Sequence, residues 1–296
     1  GVAMSRFVVQ NVKSRTSRGR SIVEILVALA IAAVVLGAVL LTVAGTGASG
    51  RRQESQARVV DEGQVALSMI AGQVRMAGYT ASRGRHFPAV QTADFGIPIR
   101  GCKRGFVDSS VAFDSLKCIA NKKPPAPSRE NAIGIRYEVD TFSSLPSSDE
   151  PTDCLGQRIQ TTTMVNGASV IVADNRFFID TNAQTGNPAL YCRGNGGNSQ
   201  QMLVDNVYAM EFRYGVSDLV TNEYDIAQYT GESIRYLDAD EIDSEYAKDT
   251  DRWRRVTSVR ICLIVATPDR VADKSTPFQN CDGSFESAPN GDRAIR

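Results

Sequence analysis

The chain has 296 residues, and its 33 basic side chains balance 33 acidic ones. That balance excludes a strongly basic nucleic-acid surface, so direct nucleic-acid binding is not expected. Its length is ample for a domain with a real core beyond any N-terminal helix. Residues 1–19 hold Arg6, Lys13, Arg15 and Arg18 and no acidic residue. Without them, 29 basic residues face 33 acidic ones, a net charge of −4. The leader ends at Gly19, a lone carboxylate follows at Glu24, and residues 25–43 are apolar. Residues 25–44 are 20 in number, about enough to span a ~30 Å hydrocarbon core at ~1.5 Å per residue. Positive charge before an apolar segment keeps that end cytoplasmic and sends the C-terminal bulk to the other side. An ordinary secretory signal with a cut near residues 44–49 and a plain single-pass anchor both fit the length. Neither accounts for Glu24, a charge that is costly at the edge of a membrane helix.

The helix is predicted to continue to about Ala77. Val59, Gly63, Ala66, Ile70, Val74 and Ala77 recur at steps of three and four, which places them on one face. Arg51, Arg52, Glu54, Arg58, Asp61, Glu62 and Arg75 fall opposite, and Met69 and Met76 read as core. Gly37, Gly45, Gly47 and Gly50 each cost ~1 kcal/mol relative to Ala, which makes a kink or local melt plausible there.

Beyond Tyr79 the pattern turns to strands. Ile133, Ile135, Tyr137 and Val139 alternate as in a half-buried strand. Residues 169–173 and 176–179 read as two short strands, and Tyr208, Met210, Phe212 and Tyr214 alternate again. Residues 255–266 read as a central strand covered on both sides. Residues 122–128, 143–152 and 193–199 read as loops, and residues 237–251 as an acidic segment with a short helix.

Six cysteines lie at Cys102, Cys118, Cys154, Cys192, Cys262 and Cys281. An even number beyond a membrane segment suits an oxidising compartment and three disulfides. Fifteen pairings are possible. Pairing of neighbours, Cys102–Cys118, Cys154–Cys192 and Cys262–Cys281, is favoured because each loop is short, and a loop of ~15 residues stabilises by ~3 kcal/mol. Wide spacing and a single histidine, His86, argue against zinc. No catalytic motif stands out, so no cofactor, no metal and no enzymatic activity are expected. His86 lies beside Arg83 and Arg85 and reads as a loop residue. Asp238, Asp240, Glu241, Asp243 and Glu245 lack the calcium-loop spacing and read as a solvated acidic loop. Arg252, Arg254 and Arg255, flanked by Asp249 and Asp251, read as a surface salt-bridge cluster.

The arrangement Gly19-Arg20-Ser21-Ile22-Val23-Glu24 before the apolar run resembles the class III leader of the type IV pilin and pseudopilin superfamily. The helix end Gln73-Val74-Arg75-Met76-Ala77-Gly78-Tyr79 is similar to that of PilW-type minor pilins, as are residues 202–216 and Trp253 before residues 256–264. The resemblance implies an α+β, pilin-like fold: a leader at 1–19, an N-terminal helix at 20–78, and an antiparallel β-rich periplasmic head at 79–296 stapled by disulfides. It implies cleavage after Gly19 by a prepilin peptidase and N-methylation of Arg20, where the family usually has Phe. It gives Glu24 the role of an assembly carboxylate that meets the N-terminal amine of a neighbouring subunit. The function implied is that of a minor pilin that primes pilus assembly from the inner membrane and ends in the tip complex. Adhesion, twitching or DNA uptake would follow from that. Its partners would be other minor pilins, the major pilin and the inner-membrane assembly platform, with a large tip adhesin as a further candidate. A J-type minor pseudopilin of type II secretion shares the leader and fold and is the alternative; a membrane-tethered periplasmic enzyme or receptor is a third.

Overall fold

A computed structural model describes residues 21–81, 96–120, 131–139, 150–165, 168–221, 227–229, 231–267 and 276–288. The chain divides into two compact units, Gly1–Gln53 and Glu54–Arg296. Helix α1 (Ile22–Met76) runs without a helical break through all four of its early glycines. In the second unit, Val59, Ala66 and Ile70 of α1 are buried, and Val74, Met76 and Ala77 pack against the same core. Full burial of a Val or Ile side chain contributes about 1.5–3 kcal/mol, so the three- and four-residue spacing accounts for this face. Met69 is exposed rather than core, because it lies off that stripe. Glu62 is only partly exposed, and Arg58 holds it at 2.8 Å. The helix ends where Gly78 takes a φ of +76°, a left-handed stop that a residue with a Cβ resists. Its N–H then donates to the Arg136 carbonyl at 3.0 Å.

Among the described residues, strands β1 (Ile99–Cys102), β2 (Ala132–Glu138), β3 (Thr162–Val165), β4 (Ala168–Thr181), β5 (Pro188–Arg193) and β6 (Gln201–Asp205) form one antiparallel sheet. Its order is β1-β2-β4-β5-β6, with β3 on β4. The turn at Asn206 leads into β7 (Val207–Val216), and β8 (Leu219–Thr221) and β9 (Ala227–Tyr229) form a small hairpin. A second sheet, β10-β7-β11, joins β7 to β10 (Arg235–Leu237) and β11 (Val256–Val265). The short helix α2 (Ala239–Glu245) lies between β10 and β11, and the hairpin β12 (Thr276–Gln279) with β13 (Phe285–Ala288) follows. The chain thus has an N-terminal apolar helix and an antiparallel β-rich head, an α+β arrangement.

Three sequence expectations are corrected. The two short strands at 169–173 and 176–179 are one strand, β4. Its polar middle is satisfied in place: Asn175 accepts from the Cys154 N–H at 2.9 Å and donates to Gln73 at 2.7 Å, and Arg176 holds Asp174 at 2.5 Å. β2 is buried on both faces, with Ile133, Ile135 and Tyr137 in the main core and Ala132 in a second cluster with Phe106, Phe113 and Leu116. Among the described residues β11 is an edge strand rather than a central one. β7 holds the centre, with Met210, Phe212 and Tyr214 fully buried, whereas Val259, Ile261 and Leu263 of β11 are only partly covered.

The cysteines pair as Cys102–Cys118, Cys154–Cys192 and Cys262–Cys281, with Cα atoms 5.2, 6.6 and 5.6 Å apart. The bridges tie β1 to the loop after it, the 150–158 turn to β5, and the β12–β13 hairpin to β11.

Candidate assembly surfaces

Within the first unit, the 22 residues Ile22–Val43 have a mean hydropathy of 2.9 and none is buried. At ~1.5 Å per residue this stretch is long enough for a hydrocarbon core, and it fits a single-pass membrane anchor. Ser21 starts the helix: its carbonyl accepts from the N–H groups of Glu24 at 3.0 Å and Ile25 at 3.2 Å, and its hydroxyl accepts from Val23 at 3.3 Å. Glu24 therefore stands in the first turn, where the unsatisfied N–H groups favour a negative charge. Next to lipid, an unpaired carboxylate is costly and an incoming cation lowers that cost. Gly19, Arg20 and His86 lie outside the described residues.

The acidic segment of the head is not a solvated loop. Asp238 caps α2: it accepts from the Glu241 N–H at 2.9 Å, and Glu241 accepts from the Asp238 N–H at 2.6 Å, a capping box. Each carboxylate is then met from elsewhere. Lys103 reaches Asp238 at 2.7 Å, Arg104 reaches Asp240 at 2.6 Å, and Arg235 pairs with Glu245. Asp243 takes Arg100 at 2.7 Å, Arg252 at 2.8 Å and the Trp253 indole at 3.0 Å. Burial alone would raise the Asp243 pKa, but these donors outweigh it and hold the carboxyl below the ordinary range. The same balance, with Lys103 as the main donor, lowers Asp238. No three acidic, histidine or cysteine side chains among the described residues converge as a metal site. The arginines after α2 meet the flanking acids, as the sequence suggests: Arg255 holds Asp249 at 2.9 Å and Arg254 lies 4.0 Å from Asp251, while Arg252 joins the α2 network through Asp243.

The helix end carries a feature that its sequence pattern gave no sign of. A groove of about 370 Å³ runs between α1 and β11. Ala71, Val74, Arg75 and Ala77 line one side, Val256 to Val259 with Ile261 the other, and Pro98 and Ile99 close it. Arg75 and Ala77 of the 73–79 motif therefore face the edge strand. The basic Arg100, Lys103 and Arg104 around Cys102 were likewise missed as partners of the acidic helix.

A family described as type IV pilus-assembly protein W matches residues 176–296, the part of the head from mid-β4 onward. No curated protein and no solved structure matches the chain. The matched region holds β7, α2 and β11, and the similarity supports a type IV pilus-related protein with partners in the pilus system.

Proposed function

We propose that the chain is a minor type IV pilin that acts by assembly rather than by catalysis. Removal of the leader after Gly19 exposes the amine of Arg20 for methylation. The helix holds the subunit in the inner membrane with the head in the periplasm. Glu24 then pairs with the N-terminal amine of a neighbouring subunit, and that pairing sets the axial register as the subunit leaves the membrane. With other minor pilins the chain primes the filament on the assembly platform and remains in the tip complex. A carboxylate in the first turn of a fully exposed, membrane-length apolar segment is the observation that carries this reading, because it needs a cation that the lipid does not supply. The family match over the head supports the choice of the pilus.

The test is Glu24→Val in the full chain, in cells with and without prepilin peptidase. The expected result is a peptidase-dependent start at Arg20, normal membrane insertion and loss of the variant from sheared filaments. A variant recovered in filaments at the normal level, or a start near residue 48, overturns the reading.

A further inference from the structure

We propose that the outer edge of β11 receives an extended, acidic segment of another polypeptide, which adds to the β10-β7-β11 sheet as a further strand and sets a carboxylate against Arg75. Among the described residues β11 pairs with β7 alone. A long unpaired edge is an aggregation hazard that proteins blunt with bulges, charges or a cover. β11 has irregularities between Val256 and Ser258 and between Ile264 and Val265, and from Val259 to Ile264 it pairs regularly with β7.

Beside β11, on its α1 side, lies the 370 Å³ groove. Val259 and Ile261 reach the core from one side yet remain partly exposed on the groove side. The groove lining mixes apolar Val74, Ile99, Val259 and Ile261 with polar Thr257 and Ser258, which suits a segment that alternates apolar and polar side chains. Strand addition fits such a place, because main-chain hydrogen bonds supply affinity and alternate side chains enter the groove.

Charge selects the occupant. Among the described residues Arg75 is the one charged residue that lines the groove, and it is exposed. Every other described arginine of the second unit has a partner: most hold a carboxylate, Arg193 holds the Asn198 carbonyl at 2.8 Å, and Arg260 stacks on Tyr236 at 3.8 Å. Arg75 alone has none among the described residues. Its place in the last turn of α1 suits a cation, but that alone leaves the guanidinium fork free. An incoming Asp or Glu completes it.

The inference rests on the assembly reading in one respect, that the partner is a polypeptide met on the pilus route. The test replaces Thr257, exposed on the groove wall, with the photocrosslinking residue p-benzoylphenylalanine in the full chain, in cells that make the whole pilus system. Irradiation is expected to give an adduct whose crosslinked partner peptide has alternating apolar residues and an Asp or Glu. Arg75→Glu is expected to cut the adduct by about tenfold or more, the scale of one charge-assisted contact, while Arg75→Lys keeps most of it. Both variants are expected to melt as the parent does, because Arg75 is exposed, and Arg75→Gln serves as a neutral second variant. No adduct, an adduct with another copy of this chain or within the same chain, a partner peptide from a helix, or an undiminished adduct in Arg75→Glu overturns the proposal. Glu24→Val in the same cells keeps the two readings apart. Filaments that incorporate it normally overturn the assembly reading, whereas no adduct at Thr257 in the parent chain, with the Glu24→Val incorporation defect present, overturns only the groove.

Discussion

The Asp243 carboxylate accepts the indole N–H of Trp253 at 3.0 Å, so the largest buried side chain of the head is pinned by a residue from α2. The same carboxylate grips Arg100 of β1 through both oxygens, at 2.7 and 2.8 Å, and Arg100 lies 5.0 Å over the Trp253 ring. One acid thereby links the first strand of the first sheet to the segment that enters the last strand of the second.

Asp243→Asn keeps the shape and removes the charge that two arginines share. It is expected to lower the unfolding free energy by about 2 kcal/mol, the scale of a partly buried, hydrogen-bonded charge left without its counter-ion. Denaturant unfolding of the detergent-solubilised chain measures it. Asp251→Asn, at a largely exposed pair, is expected to change stability by less than ~0.5 kcal/mol.

Acid is expected to loosen the head through the same helix. Asp238 and Asp243 have pKa values lowered in the folded state. Each stabilises fully above the unfolded value near ~4, and that contribution is lost as pH falls through the lower folded value. Asp174 runs the other way: burial outweighs its pairing with Arg176 and raises it, so protonation there favours the fold. Asp108 and Asp282, held by Ser110 and Ser284, are lowered too, so four lowered carboxyls against one raised predict a falling melting temperature below about pH 4. In Asp243→Asn that acid-dependent drop is expected to be smaller, and thermal melts between pH 6 and pH 3 compare the two.

Gly101→Ala is expected to be among the most damaging substitutions in the head. A Cβ at this position would collide with the Tyr214 hydroxyl and come within 2.9 Å of Trp253, both fully buried. Neither ring has room to retreat, and overpacking of this kind costs about 1–3 kcal/mol or more. The melting temperature of Gly101→Ala against that of Gly156→Ala, where nothing lies within 4 Å, separates crowding from the loss of glycine as such. Gly156 has a φ of +70°, so its substitution reports backbone strain alone.

What was legible in the sequence was set by local period. The stripe of α1 from Val59 to Ala77 and the alternation from Met210 to Tyr214 place the same side chains in the core that the structure does. What was not legible depends on residues far away. The partners of the acidic helix, Arg100, Lys103 and Arg104, lie 143, 135 and 136 residues from the carboxylates they hold, so the segment read as solvated. β11 is as apolar as a central strand, and nothing in a period of two reveals that among the described residues it pairs with β7 alone. In β4 the polar pair Asp174 and Asn175 looked like a break because the partners of the Asn175 side chain come from α1, β2 and the 150–158 turn. Of the groove, Arg75 was visible only as a charge on the polar face.

The three disulfides follow one another along the chain without interleaving, at separations of 16, 38 and 19 residues. On the proposed membrane route the chain emerges N-terminus first, so it presents Cys102 and Cys118 before Cys154 appears and completes the second pair before Cys262. The native connectivity is therefore also the order of arrival, and each loop closes among residues already delivered. The last bridge can form only when β11 and the final hairpin are both out. On the proposed route, oxidation of Cys262 and Cys281 reports that β11 and the β12–β13 hairpin have both crossed, and of the three bridged segments the strand next to the groove is secured last.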